Sequence, residues 1–156
     1  MKMQKLFAVM LAMGMMFSFA ACGKTEQPAG DNLDSKAQNE TASVWDSALY
    51  TEDTRLGEGE KTVLLTVIAE EKQVVITVKT DAETLGDALI ENGLIEGEEG
   101  SWGMYVKSVD GIRADYDLDG FWWSLEADGV ATTYGVDGRT LSAEKDNVYS
   151  FVRTPA

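Results

Sequence analysis

Three carboxylates at alternating positions, Asp115, Asp117 and Asp119, run into Gly120, and Glu126 follows five residues after that glycine. Oxygen ligands on alternate residues around a glycine turn can wrap a hard cation, and this order and spacing fit an EF-hand calcium loop. The flanks point elsewhere. Such a loop needs a helix entering and leaving, whereas residues 121–125 read Phe-Trp-Trp-Ser-Leu, a strand-like run that carries Glu126 away from the turn. A weak calcium site and a plain acidic hairpin turn both fit these residues. The second concentration of chemistry is aromatic. Trp102, Tyr105, Trp122, Trp123 and Tyr134 crowd into one stretch of the chain, and a small half-buried sheet cannot hide every ring. Strand alternation puts Phe121, Trp123 and Leu125 on one side as core and Trp122, Ser124 and Glu126 on the other. Trp122 is then either a platform for a flat amphipathic ligand, a cover for the sheet edge, or a partner for Trp45.

Composition removes other chemistries. The 156 residues contain no histidine, which excludes Ser-His-Asp and Cys-His catalysis and His-ligated zinc or iron. The one cysteine, Cys22, allows no disulfide and no Cys-based metal site. A pair of carboxylates for glycoside chemistry is not selected by anything in so acidic a chain. An enzyme is not expected. Asp and Glu outnumber Lys and Arg by 27 to 13, a field that repels nucleic acid and anionic lipid and keeps an extracellular protein soluble.

The N-terminus carries an export signature. Lys2 and Lys5 precede an uncharged apolar run over residues 6–19, of secretory h-region length and too short for an ordinary membrane span. The run ends at Phe19-Ala20-Ala21-Cys22-Gly23, which resembles a bacterial lipobox: small residues before a lone cysteine whose thiol takes diacylglycerol and becomes the mature N-terminus. Residues 1–21 are therefore expected to be a lipoprotein signal peptide, with Cys22 as the lipid anchor on the extracellular face of the cell membrane. Multiple acyl chains make such an anchor stable. Removing Lys2 and Lys5 with the leader takes the formal charge from −14 to −16. Residues 22–43 are small, polar and charged, the composition of a flexible tether.

Residues 44–156 form the domain, with its core at about 60–153. Val44, Trp45, Leu49 and Tyr50 suggest a short helix or turn that packs Trp45 on the domain before Gly57-Glu58-Gly59 breaks it. Two β-branched runs, 61–69 and 73–80, make a hairpin. Leu85, Ala88 and Leu89 recur at helical spacing, with Asp81 or Thr84 to cap the start and Gly93 to stop the helix. Strands are expected over 101–109, 120–126 and 147–152, divided by Asp-Gly turns at 110–111, 119–120, 128–129 and 137–138. These elements imply an α+β fold, a single β-grasp-like domain with one helix packed on a mixed four- to five-stranded sheet.

Leu49-Tyr50-Thr51-Glu52-Asp53-Thr54, Thr84-Leu85-Gly86-Asp87-Ala88-Leu89, Val109-Asp110-Gly111, Ala114-Asp115-Tyr116-Asp117, Phe121-Trp122, Gly135-Val136-Asp137 and Tyr149-Ser150-Phe151 follow one another in an order that is specific as a set. The order resembles bacterial lipoproteins with a transcobalamin-like C-terminal domain, a domain of unknown function related to the β-domain of transcobalamin and intrinsic factor. The resemblance implies a β-grasp-like domain lying over one face of a corrinoid. Val106, Ser124 and Ala131 would be turned to the corrin, with Tyr105 and Trp122 adding stacking area. In those carriers a larger helical domain supplies the other half of the pocket, so a partner or second lobe would close it here. The implied function is non-catalytic capture of a corrinoid or similar amphipathic nutrient at the cell surface and delivery to a membrane importer. The alternative is a surface adhesion or protein-interaction module that turns the same aromatics to a protein or glycan.

Overall fold

The computed structural model describes residues 42–156. The expected export leader, Cys22 and the expected tether up to residue 41 lie outside the described residues. A turn of 3-10 helix, Val44–Ser47, comes first, capped by Ser43. Its Trp45 is buried and donates its indole N–H to the Ala69 carbonyl at 2.9 Å, with the Lys72 ammonium 4.7 Å above the ring. The indole thus packs on the domain and satisfies its one polar atom, as a buried tryptophan must.

Nine strands follow: β1 (Thr54–Gly57), β2 (Lys61–Ala69), β3 (Lys72–Thr80), β4 (Ile95–Gly100), β5 (Gly103–Val109), β6 (Ile112–Arg113), β7 (Phe121–Ala127), β8 (Val130–Ala131) and β9 (Asn147–Pro155). Six of them form a mixed sheet in the order β1-β3-β2-β9-β7-β8, and β4-β5-β6 form a second, three-stranded sheet. β2 and β3 pair antiparallel along their whole length, while β1 joins β3 and β9 joins β2 in parallel. Alternation drives the centre of the large sheet: Val63, Leu65 and Val67 on β2 and Val74, Ile76 and Val78 on β3 all point to one face and are buried. Each such side chain contributes roughly 1.5–3 kcal/mol by leaving water.

One helix of more than a single turn, α1 (Leu85–Glu91), covers that face. Leu85, Ala88 and Leu89 are fully buried, Thr84 caps the start by accepting the Asp87 N–H at 3.1 Å, and Gly93 at φ +66° ends it.

The single-sheet α+β, β-grasp expectation is overturned. The described residues are mostly β, in two sheets, with one helix longer than a single turn. Two causes account for this. β4 reads Ile-Glu-Gly-Glu-Glu-Gly and buries only Ile95, so it carries no apolar alternation and owes its extended form to pairing with β5. β1 is a four-residue edge whose partners on β3 lie twenty-two residues away, a contact that local pattern does not reveal. Two of the four Asp-Gly pairs also differ from expectation. Asp110-Gly111 and Asp128-Gly129, with both residues of each at positive φ, turn the β5–β6 and β7–β8 hairpins. Asp119-Gly120 instead ends a single helical turn, α2 (Tyr116–Asp119), and Asp137-Gly138 sits in a 3-10 turn, Val136–Gly138.

Candidate functional site

β5 pairs with β6 only at Ser108 and Val109, and β7 pairs with β8 only at Glu126 and Ala127. The first halves of β5 and β7 therefore each have a strand on one side only. Between them lies a groove of about 280 Å³, walled by Met104, Tyr105 and Val106 from β5, by Trp122 from β7 and by residues 132–136, with Trp123, Leu125 and Phe151 at its base. Trp123 meets Phe151 edge to face at 6.2 Å, an arrangement that fixes the base. Three rings line the groove and remain open to solvent: Tyr134 is 69% exposed, Tyr105 40% and Trp122 38%.

The wall at 132–136 is a loop, held by polar contacts rather than by a sheet. Asp137 accepts the Met104 N–H at 2.6 Å, tying the start of β5 to the loop. Leu85 N–H donates to the Arg139 carbonyl and Leu141 N–H to the Glu83 carbonyl, both at 2.8 Å, which fastens the far side of the loop to the start of α1. Gly86 makes that approach feasible, since a Cβ there would stand 2.9 Å from the Asp137 carboxylate. The Lys107 ammonium lies 5.9 Å from the Tyr105 ring centre. Its hydrogen bond to Glu98, 2.9 Å away, is the largest of the influences that raise its pKa.

Of the residues singled out in the sequence, Tyr105, Val106 and Trp122 converge here. Ser124 and Ala131 do not line the groove: Ser124 is buried on the side of β7 away from Trp123 and Leu125, and Ala131 is exposed on β8. The resemblance placed both at a corrin face, and here they stand apart from the groove. Trp123, read as core, is buried and also forms part of the groove, and its indole N–H has no partner. Tyr134, one of the clustered aromatics, joins them from the 132–136 loop, whereas Met104 was not singled out.

The acidic turn is arranged otherwise. Asp115 caps α2, accepting the Asp117 N–H at 3.2 Å, and its other oxygen meets Arg113 at 3.1 Å and Lys107 at 3.4 Å. The hydrogen bond from Arg113, then that from Lys107, holds the carboxyl below its ordinary range against the opposing effect of burial. Asp119 accepts the N–H groups of Asp115 at 3.0 Å and Phe121 at 2.9 Å and pairs with Arg153 at 3.3 Å. Among the described residues, no group of three or more acidic, cysteine or histidine side chains is placed to hold a metal ion.

A family model described as Domain of unknown function (DUF4430) matches residues 82–149, the span that contains α1, β5, β7 and the loop wall. No curated protein matches the chain. Among solved structures, the chain is similar to a "putative metal binding protein" from Ruminococcus gnavus ATCC 29149, at 28% identity over 62% of this chain and 98% of that one, with a TM-score of 0.56. It is also similar to haptocorrin in complex with Cbi, at 17% identity over 60% of this chain, with a TM-score of 0.44. The chain spans a quarter of haptocorrin's length.

Proposed function

We propose that the protein is a non-catalytic binding domain that takes an amphipathic small molecule, a corrinoid or a ligand of similar flat, apolar-faced shape, in the groove between β5 and β7. One observation carries this reading: Tyr105, Trp122 and Tyr134 come from three separate segments and leave ring surface open on a single concavity. A fold has no reason of its own to gather exposed rings around a hollow, whereas a ligand with an apolar face gains from each of them. The volume, about 280 Å³, lies at the lower bound of small-molecule sites, so a large ligand would be held along one side and closed over by a second lobe or partner. Binding without turnover agrees with a chain that lacks histidine and whose one cysteine reads as a lipid acceptor. In the same proposal Cys22 anchors the protein outside the cell membrane, where it passes its ligand to an importer. Cys22→Ser should then abolish palmitate labelling and leave the precursor uncleaved, seen as a larger band on a gel.

Titrating cobalamin, cobinamide and haem while following tryptophan emission tests the groove. A saturable change that weakens at least tenfold, about 1.4 kcal/mol, in Trp122→Ala is the expected result. No change with any of the three up to millimolar concentration would remove the tetrapyrrole-like reading.

Trp102 favours a second reading, contact with another protein. It stands at the tip of the β4–β5 hairpin, outside the groove, and is 96% exposed. Loss of cell or matrix adhesion in Trp102→Ser, with ligand titrations unchanged, would support it. The metal binding attached to the Ruminococcus gnavus protein is not carried over, because Asp115 and Asp119 already bond to this chain's own donors.

A further inference from the structure

The groove's floor continues past the groove. On the paired strands β7 and β9 the cross-strand pair Leu125–Phe151 is followed on the same face by Ala127–Tyr149. The first pair lies under the aromatic rings, and the second lines a neighbouring polar hollow of about 230 Å³ that also contains Arg139. One such two-residue step along a strand is roughly 7 Å. Tyr134 links the groove to Arg139: its ring borders the groove, and the Arg139 guanidinium, which lines the second hollow, lies 5.7 Å from the ring centre. An apolar hollow thus opens beside a cation.

Arg139 is half-buried, and among the described residues its guanidinium makes no salt bridge, while its Nε is buried with no hydrogen-bond partner. Arg113 pairs with Asp115 and Arg153 with Asp119, whereas Arg139, like Arg55, has no acidic partner among the described residues; what sets Arg139 apart is its buried, unbonded Nε. Asp128 and Asp146 share the hollow with Arg139, yet neither pairs with it. Its backbone is fixed at both ends, by the Arg139 N–H on the Val136 carbonyl at 3.2 Å and by the Leu85 N–H on its own carbonyl, so the side chain starts from a set position. Tyr149 senses the charge: burial raises the phenol pKa, and Arg139 acts against that rise. A partly desolvated, unpaired guanidinium is a ready fork for a carboxylate, sulfonate or phosphate.

We infer that the groove selects an amphipathic anion, whose apolar body lies against Tyr105, Trp122 and Tyr134 and whose single anionic group ends on Arg139. This rests on the groove being the ligand site and adds the chemical class of the ligand. Lys145 supplies a second positive charge to the hollow, while Asp128 and Asp146 disfavour a ligand with several anionic groups.

Two fluorescent dyes with nearly the same rings separate the two statements. Anilinonaphthalene sulfonate carries the anion and phenylnaphthylamine lacks it. On the full-length protein the sulfonate should bind about tenfold more tightly, with a preference that shrinks as salt is added. Arg139→Gln should erase the preference while leaving the uncharged dye bound within about twofold, and Arg139→Lys should restore part of it. Equal affinity for the two dyes, or a preference that survives Arg139→Gln, overturns the anion assignment and leaves the groove standing. If Trp122→Ala alters neither dye, the groove itself is not the site. Cosedimentation with phosphatidylglycerol vesicles, to which lipid on Cys22 can itself attach, should be the same for the parent and Arg139→Gln. An Arg139-dependent association with them would assign the anion to a lipid headgroup and overturn a soluble ligand.

Discussion

The acidic turn at residues 115–119 and the aromatic groove between β5 and β7 differ in how much of their bonding capacity is already used. At the turn, Asp115 and Asp119 accept three backbone N–H groups and meet Arg113, Lys107 and Arg153. Their oxygens serve the fold. In the groove the rings of Tyr105, Trp122 and Tyr134 keep solvent-facing surface, and Arg139 next to it has no acidic partner among the described residues. A cluster that looks functional by spacing can be structural once its donors and acceptors are paired. A run of aromatics that looks like core can be left free to bind.

The largest expected effect concerns an unused atom in the wrong place for binding. Asp110 is fully buried; one oxygen accepts the Tyr50 N–H at 3.0 Å and the other has no partner. Burial, opposed by the hydrogen bonds from Tyr50 and Leu49, pushes its pKa up to about 6. The folded state therefore favours the protonated acid. That preference is fully present below the ordinary pKa near 4 and is lost as pH rises through about 6, so the ionised group costs on the order of 3 kcal/mol at neutral pH. Asp110→Asn, a neutral side chain that tolerates the positive φ, should melt well above the parent at pH 7.5 and close to it at pH 4.5. Equal melting temperatures at both values would show that the carboxyl is solvated. Next in size is Trp122→Ala, expected to weaken groove binding about tenfold while shifting the melting temperature by only a few degrees. A large loss of stability would return Trp122 to the core. Smallest is the response to calcium: millimolar calcium should leave the melting temperature unchanged. A rise of several degrees that disappears in Asp117→Ala would make the turn a metal site after all.

Much of the fold was legible where the pattern is local. The β2–β3 hairpin shows in its alternating Val and Ile residues, and α1 shows in Leu85, Ala88 and Leu89 with Thr84 as cap. The second sheet was not, because Glu96, Glu98 and Glu99 on β4 give no inward face and the strand exists only by pairing with β5. Asp119-Gly120 misled for a simple reason: a glycine at positive φ ends a helical turn as readily as it closes a hairpin. Tyr105, Trp122 and Tyr134 could be picked out from the sequence because aromatic density on short strands leaves rings unburied, and Val106 came from the family resemblance. The rest of the opposite wall could not. Residues 132–136 have no periodicity, and they reach the groove through Asp137 bonding a main-chain N–H thirty-three residues away.

The lead-in segment is fastened at two separated turns. Trp45 is bonded to Ala69 at the β2–β3 turn, whereas Leu49 and Tyr50 donate to Asp110 at the β5–β6 turn, where a Cβ on Gly111 would strike the Ser47 carbonyl at 2.5 Å. A pull applied at residue 42 meets the Trp45 fastening on the larger sheet first and reaches the Asp110 bonds beside the smaller one only after it gives way, so the two sheets would be released in order.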